Sequence, residues 1–160
     1  MKIDRKFTKA KTAAYGELEF KSTASEIRNP DGSIVFALDN LEVPAGWSQV
    51  AADVIAQKYF RKAGVPAAVK RVKEKGAPDF LLRSVPDEAK LAKLPKDEQY
   101  IGETSAKQVF DRLVGTWCYW GWKGGMFTTE ADAKSYYDEM RYMMASQMAA
   151  PNSPQWFNTG

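Results

Sequence analysis

The sequence TSAKQVFDRLVGTWCYWGWKGG, residues 104–125, repeats apolar side chains at the three- and four-residue spacing of one helix face. Thr104 or Ser105 can cap the start of this helix, because a short side-chain oxygen accepts from the first free backbone N–H groups. Gly121 and the pair Gly124–Gly125 are expected to break it up. The predicted apolar face is Val109, Phe110, Leu113, Val114 and Trp117.

A second amphipathic pattern follows in TTEADAKSYYDEMRYMMASQMAA, residues 128–150. Thr128 or Thr129 starts this helix, and Pro151 prevents it from continuing much past Ala150. Its methionines could form an adaptable groove, but they merge with tyrosines into one ordinary stripe, so core packing is predicted. The stripe is Ala133, Tyr136, Tyr137, Met140, Met143, Met144 and Met148.

An earlier helix is predicted after Ser48, which can act as its N-cap, and it should end at Gly64 with Pro66 just beyond. Its apolar positions recur at helical spacing, so they are expected to face the core. These positions are Val50, Val54, Ile55, Tyr59 and Phe60.

The beginning of the chain has the alternation of a β-hairpin. Leu18 and Phe20 alternate with charged side chains, the period of a half-buried strand. Residues 33–40, SIVFALDN, predict a second strand, and the preceding NPDG, residues 29–32, is a turn sequence. Residues 41–44 continue extended, because a proline biases the residue before it away from helix.

The predicted fold class is therefore α+β and mainly helical: a small N-terminal antiparallel hairpin followed by three main helices. We expect a basic lead-in over residues 1–14 and one domain over residues 15–150. Residues 65–104 are rich in charge and proline, which predicts a surface insert with one or two short helices. Residues 70–75 could be a basic contact patch, but nearby acidic residues dilute the charge and favour a solvated face.

Composition narrows the functional classes. The 160 residues carry 23 basic and 20 acidic side chains, a formal charge of +3, which does not demand a nucleic-acid partner. One cysteine and no histidine leave no internal disulfide, no histidine-based triad and no zinc-ligand set. The basic start lacks an apolar signal region and no run could span a membrane, so a cytoplasmic protein without membrane contact is predicted.

Residues 117–122, WCYWGW, concentrate three of the five tryptophans. Such a cluster could stack nucleic-acid bases, but apolar neighbours on the same helix favour core packing. Cys118 lies among these aromatics with no cationic neighbour in sequence to stabilise a thiolate, so we assign it no catalytic role.

The closing segment PNSP, residues 151–154, fixes two φ angles and presents a hydroxyl and an amide, and Trp156 and Phe157 follow as anchors. A rigid polar segment of this kind is either a well-packed turn or a ligand contact. The residues alone leave both interpretations open.

Residues 147–160, QMAAPNSPQWFNTG, closely resemble the NSP-x-x-FN-x-G loop of adenosylcobalamin-dependent (class II) ribonucleotide reductases. Three further stretches resemble the same family in order and spacing. They are Val43–Ala51 (VPAGWSQVA), Lys58–Pro66 (KYFRKAGVP) and Trp120–Gly125 (WGWKGG).

This resemblance implies an enzyme that reduces ribonucleotides to deoxyribonucleotides for DNA synthesis. The family works inside a ten-stranded α/β barrel, with a thiyl radical generated by adenosylcobalamin and a pair of redox cysteines. Residues 151–160 would then begin the substrate-site loop and the barrel. Ser153 is the implied substrate contact and Asn152 shapes its loop, because a hydroxyl can bind ribose or phosphate oxygens without adding charge.

The family continues beyond the position of Gly160 into the redox cysteines, the radical cysteine and the cobalamin contacts. We therefore expect this chain to be an N-terminal fragment that is inactive alone and contains no catalytic or metal-ligating residue. The longer parent would bind ribonucleotide substrate and nucleotide effectors and form a homodimer.

Two other classes remain as alternatives. A non-catalytic nucleotide-binding regulatory module is one, because residues 28–32 followed by residues 34–36 resemble its basic turn, although the adjacent Lys-Arg pair is missing. A nucleic-acid-binding module is the other, drawing on the aromatic cluster with Lys70, Arg71, Lys73 and Lys75. Phosphate-driven binding of that kind would show a steep salt dependence.

Residues 65–104 are predicted to be the most protease-sensitive part of the chain, because proline, glycine and charge interrupt their apolar runs. In limited proteolysis, identified by mass spectrometry, the first cuts should fall in this insert. A first cut within residues 131–149 would contradict the prediction.

Overall fold

The N-terminal hairpin consists of β1 (Phe20–Arg28) and β2 (Ile34–Pro44) in the computed structural model, which describes residues 1–160. The strands pair antiparallel, with two irregularities in register. The predicted turn at residues 29–32 is confirmed, because the N–H of Gly32 donates to the carbonyl of Asn29 at 2.9 Å. Leu18 lies before the first strand, because its backbone N–H closes a turn on the carbonyl of Tyr15 at 3.0 Å. The alternation at residues 17–21 therefore placed the strand too early.

Helix α1 (Gln49–Val54) begins as predicted, because the Ser48 side chain accepts from the N–H of Ala51 at 3.2 Å. One π-helical turn, Ile55–Tyr59, continues it, and the chain leaves the helix at Phe60 rather than at Gly64. The predicted apolar face is confirmed in part, since Ile55 and Phe60 are buried in the core and Tyr59 packs against it, but Ala52 and Ala56 rather than Val50 and Val54 complete the buried side. Two small alanines let the helix lie close there, and Val50 and Val54 remain 71% and 41% exposed.

The insert of residues 65–104 forms two nested antiparallel ladders with one short helix. Within the insert, Leu81, Leu82 and Leu91 are buried. It is attached to the end of a long helix, because Gly76 accepts from the Trp122 indole at 2.7 Å and Glu74 accepts from the Tyr119 hydroxyl at 2.8 Å. Its elements are β3 (Val65–Pro66) paired with β6 (Tyr100–Ile101), β4 (Val69–Arg71) paired with β5 (Ser84–Pro86), and α2 (Glu88–Leu91).

Helix α3 (Ala106–Lys123) runs through the centre of the core. Ser105, one of the two predicted N-caps, forms a capping box with Gln108 at its start. Four residues of its predicted face, Val109, Phe110, Leu113 and Val114, are completely buried. The expected break at Gly121 is wrong: the helix passes through it, and a Cβ there would lie 2.8 Å from the Phe127 ring. This glycine therefore permits a close ring contact instead of ending the helix.

Helix α4 (Glu130–Ala145) packs against α3, and Thr129 with Asp132 forms its capping box. It ends at Ala145, not at Ala150, because Gln147 takes a left-handed conformation with φ 57°. The N–H of Met148 then turns back to the carbonyl of Met143 at 2.8 Å. Met148 is consequently 52% exposed, so its place in the predicted buried stripe is wrong.

The lead-in, residues 1–14, lies across α4 and is held by three largely buried carboxylates, which we call the carboxylate row: Asp132, Asp138 and Glu139. Asp132 accepts from the N–H of Ile3 at 2.9 Å. Arg5 pairs with Asp138 at 2.8 Å. Glu139 accepts from three consecutive backbone N–H groups, those of residues 6–8, at 2.8–3.2 Å.

Burial raises the pKa of the Glu139 carboxyl, but the hydrogen bonds from the Thr8 side chain and from the lead-in backbone offset this. The net pKa of Glu139 lies below its ordinary value of 4.5. Asp138 behaves alike: burial opposes its ionisation, and hydrogen bonds from Lys134, Arg5 and Arg141 bring its pKa below the usual range.

None of the helices combines the length and the apolar composition needed to cross a lipid bilayer. The observed architecture is α+β, as predicted: antiparallel strand pairs and five α-helices, with the core between the hairpin, α1, α3 and α4.

We predict that Glu139→Gln lowers the free energy of unfolding at pH 7 by about 1–3 kcal/mol, because one neutral amide cannot replace a buried carboxylate that accepts from several part-buried donors. A carboxyl group with a depressed folded pKa stabilises the fold above its ordinary pKa, and this contribution is lost as the pH falls through the folded pKa. The difference between wild type and variant should therefore shrink below about pH 4.

Urea denaturation across this pH range measures the effect. Glu26→Gln is the control, because Glu26 pairs with Arg28 on the surface, where an ion pair contributes little. Equal, pH-independent losses in the two variants would contradict the role of the carboxylate row.

Candidate functional site

The motif of residues 151–160 forms a short helix, α5 (Ser153–Asn158), rather than an irregular loop. Asn152 is its N-cap: the side-chain oxygen accepts from the N–H of Ser153, and the carbonyl accepts from the N–H of Gln155, both at 3.0 Å. Pro154 lies in the first turn, where the helix requires no N–H donor. The residue types that predicted a rigid polar turn thus define the start of a helix.

The motif has an inner and an outer face. On the inner face, Trp156 is half-buried, donates its indole N–H to the carbonyl of Pro151 at 3.0 Å, and is followed by the buried Thr159. Asn152 and Ser153, the predicted substrate contacts, are exposed on the outer face. The two predicted residues are therefore adjacent, accessible and carried by a segment whose other side is fixed.

Tyr59 is the neighbour of Ser153 that sequence reasoning placed in the core. Its hydroxyl lies 3.2 Å from the Ser153 hydroxyl, and either group can donate. Its ring stacks on Trp156 with centroids 5.1 Å apart and 25° between planes. The π-helical turn puts Tyr59 at the end of its helix, so its ring meets the motif and its hydroxyl meets the predicted site.

A buried arginine on α3 holds the motif in place. Arg112 donates to the carbonyls of Trp156 and Thr159 at 2.8 and 3.0 Å, and to the carbonyl of Tyr59 at 2.9 Å. Its Nε donates to Glu103 at 2.8 Å, and the two side chains are only 10% and 3% exposed. We call Arg112, Glu103 and these three carbonyls the Arg112 hub.

Gly160 closes the motif against the same helix. Its φ is +95°, in the left-handed region that favours glycine, and an added Cβ would lie 2.7 Å from the Cβ of Arg112. Its carbonyl accepts from the side chain of Arg61. The last glycine of the motif is therefore required by both backbone conformation and space.

Two open clefts of about 360 Å³ each flank the motif. Their linings are mainly apolar, and include Val50, Tyr59 and Trp156 on one side and Trp117, Met140 and Gln155 on the other. This volume is near the lower limit for pockets that hold a drug-sized molecule, so neither cleft could enclose a corrin macrocycle with its nucleotide tail. Neither cleft alone fits a cobalamin, and no His, Cys, Asp or Glu cluster is arranged to bind a metal ion.

Cys118 is completely buried between α3 and α4, where its thiol donates to the carbonyl of Ala133 at 3.3 Å. Burial, with a smaller contribution from Asp138, raises the pKa of the thiol from 9.0 to about 12. The aromatic cluster around it is half-buried, with the exception of Trp120, which is 59% exposed and does not pack in the core as predicted.

A family model described as class II vitamin B12-dependent ribonucleotide reductase matches residues 21–147. Over 160 residues, the whole of this chain, it is 63% identical to a vitamin B12-dependent ribonucleotide reductase from Bradyrhizobium diazoefficiens and 61% identical to one from Agrobacterium fabrum. A protein of the same name from Rhodopirellula baltica is 29% identical in an alignment of 150 positions that covers 91% of this chain and 11% of that protein.

The chain belongs to the class II ribonucleotide reductase family. This confirms the family assignment made from the four sequence stretches. The chain spans 13% of the length of the first two reductases. Their match extends over residues 151–160, which lie beyond the part covered by the family model.

We predict that the single thiol of this reductase-family chain is inert in the folded state. With a pKa near 12 instead of 9.0, it is thiolate at pH 8 to an extent about a thousandfold below that of an ordinary cysteine. An aromatic disulfide reagent should modify Cys118 in urea and leave the native chain unmodified on the same timescale. Rapid modification of the native chain would mean that the thiol is accessible and activated.

Proposed function

We propose that this chain is the N-terminal part of a longer ribonucleotide reductase, which converts ribonucleotides to deoxyribonucleotides for DNA synthesis. The reductases that share 61–63% of its residues support this, since the chain accounts for 13% of their length. The remaining length would supply the α/β barrel that follows this domain. The longer enzyme would be cytoplasmic and homodimeric and would respond to nucleotide effectors.

In this proposal, residues 151–160 form one edge of the substrate site, with Ser153 as a substrate contact and Asn152 fixing the turn that presents it. The observation that carries the proposal is the outer face of the motif. The hydroxyls of Ser153 and Tyr59 lie 3.2 Å apart and are exposed, while the inner face is held by the Arg112 hub. Two adjacent neutral hydroxyls can exchange hydrogen bonds with ribose or phosphate oxygens without adding charge.

The redox chemistry would take place outside this chain. Its one cysteine is buried, has a raised pKa and donates a hydrogen bond to a backbone carbonyl. It is therefore suited neither to radical transfer nor to dithiol reduction. Adenosylcobalamin, expected from the family, would bind to the rest of the enzyme, because the clefts here do not fit it. The part of this chain is to position one edge of the substrate.

We predict that Ser153→Ala in the full-length reductase weakens substrate binding by about 0.5–1.5 kcal/mol, the net value of one neutral hydrogen bond. This corresponds to a roughly two- to twelvefold higher dissociation constant. The melting temperature should stay nearly unchanged, because the Ser153 side chain is exposed.

Substrate affinity by equilibrium binding and stability by thermal unfolding test this prediction together. Ser22→Ala is the matched control, because Ser22 is an exposed serine on β1, remote in sequence from the motif. The isolated 160-residue chain should show no turnover even with adenosylcobalamin and a dithiol. An unchanged affinity in Ser153→Ala, or a large loss of stability, would mean that the motif is structural.

A further inference from the structure

We infer that Arg112 and Glu103 are positioning residues. They hold the hydroxyls of Ser153 and Tyr59 in the relative position that binds substrate. This inference rests on the proposed function, because it assumes that the outer face of the motif meets substrate. Neither residue belongs to a stretch that resembles the family, and Glu103 lies in the charged segment of residues 65–104, which was predicted to be a surface insert. The inference comes from how one guanidinium connects the elements around the site.

The guanidinium fixes both partners of the Ser153–Tyr59 contact through their backbones. On one side it binds the carbonyl of Tyr59, whose own hydroxyl meets Ser153. On the other side it binds the carbonyls of Trp156 and Thr159, which lie within and just after the helix that Ser153 begins. The relative position of the two hydroxyls is therefore set by one rigid planar group.

These carbonyls need a donor. The last carbonyls of a helix have no partner within it, and Tyr59 and Trp156 occupy such positions in the π-helical turn and in α5. A positive charge is favourable at a helix C-terminus, and the forked donors of arginine can reach acceptors in several directions. A lysine ammonium would preserve the charge but has no planar fork with which to fix three carbonyls.

Glu103 compensates the buried positive charge of Arg112. An unpaired buried charge is strongly destabilising, and Glu103 pairs with Arg112 while its second oxygen accepts from the N–H of Arg61 at 2.9 Å. Glu103 follows β6, at the end of the 65–104 insert, and Arg61 follows the π-helical turn. The end of the insert is thus part of the support beneath the proposed substrate edge.

The test is Arg112→Lys in the full-length reductase, with Arg141→Lys as the matched control. Arg141 is a similarly buried arginine on α4, 13% exposed, that pairs with Asp111 of α3 and Asp138 of α4. Arg112→Lys should raise KM for the ribonucleotide about tenfold, since displacement of a contact by an ångström is costly. The value of kcat should stay within about twofold, because the residue does not touch the reacting atoms.

Hydrogen exchange provides a readout that a general loss of stability would not reproduce. In Arg112→Lys the amides of residues 153–160 should exchange faster at pH 7, whereas Arg141→Lys should leave them unchanged at a comparable melting temperature. If Arg112→Lys does not fold, Glu103→Gln is the second variant. It keeps an oxygen acceptor, and it should raise KM and motif exchange in the same direction by a smaller factor.

The outcomes separate this inference from the proposed function. If Ser153→Ala raises KM and Arg112→Lys does not, the positioning role is overturned and the substrate edge stands. Equal increases of KM in Arg112→Lys and Arg141→Lys would also overturn it, because the effect would then be general. If neither Ser153→Ala nor Arg112→Lys alters KM, both ideas fail.

Discussion

Arg112 projects from α3 into a space where three backbone segments end, and its charge must be compensated there. Nε, Nη1 and Nη2 each donate to an acceptor, so the cost of burying the guanidinium is offset by directed bonds. A buried ion pair adds little net stability compared with apolar packing, so we attribute to this one the role of specifying an arrangement. Here the arrangement is that of α5, the π-helical turn and the end of the insert around one helix.

The carboxylate row on α4 fixes the lead-in as the hub on α3 fixes the motif. α4 buries apolar residues toward α3 and acidic residues toward the lead-in, so both of its sides are covered. Three consecutive N–H groups of an otherwise irregular segment find their acceptor in Glu139. Because one buried carboxylate accepts from all three of these part-buried N–H groups, it determines the path of residues 6–8.

Local chemistry is what the sequence revealed reliably. The hairpin turn and the N-caps Ser48, Ser105 and Thr129 were predictable because each depends on residues a few positions apart. The burial of Ala52 and Ala56 on α1, the burial of Glu139 and the role of Arg112 were not, because they depend on partners distant in the chain. A polar residue on a helix is usually solvated, so nothing in the local pattern of Glu139 or Arg112 distinguished it.

Three of the four stretches that resemble the family meet in space, although they are far apart in sequence. Trp47, from the first, packs on Phe110 and donates to the carbonyl of Ala145, where α4 ends before the motif. The second, residues 58–66, contributes Tyr59. The motif at residues 147–160 contacts both Tyr59 and Arg112. These separate stretches of sequence therefore form one packed unit. Arg112, the residue that joins them, lies outside all of the stretches. It acts by donating hydrogen bonds to backbone carbonyls, and such a role leaves no recognisable pattern of side chains in the sequence.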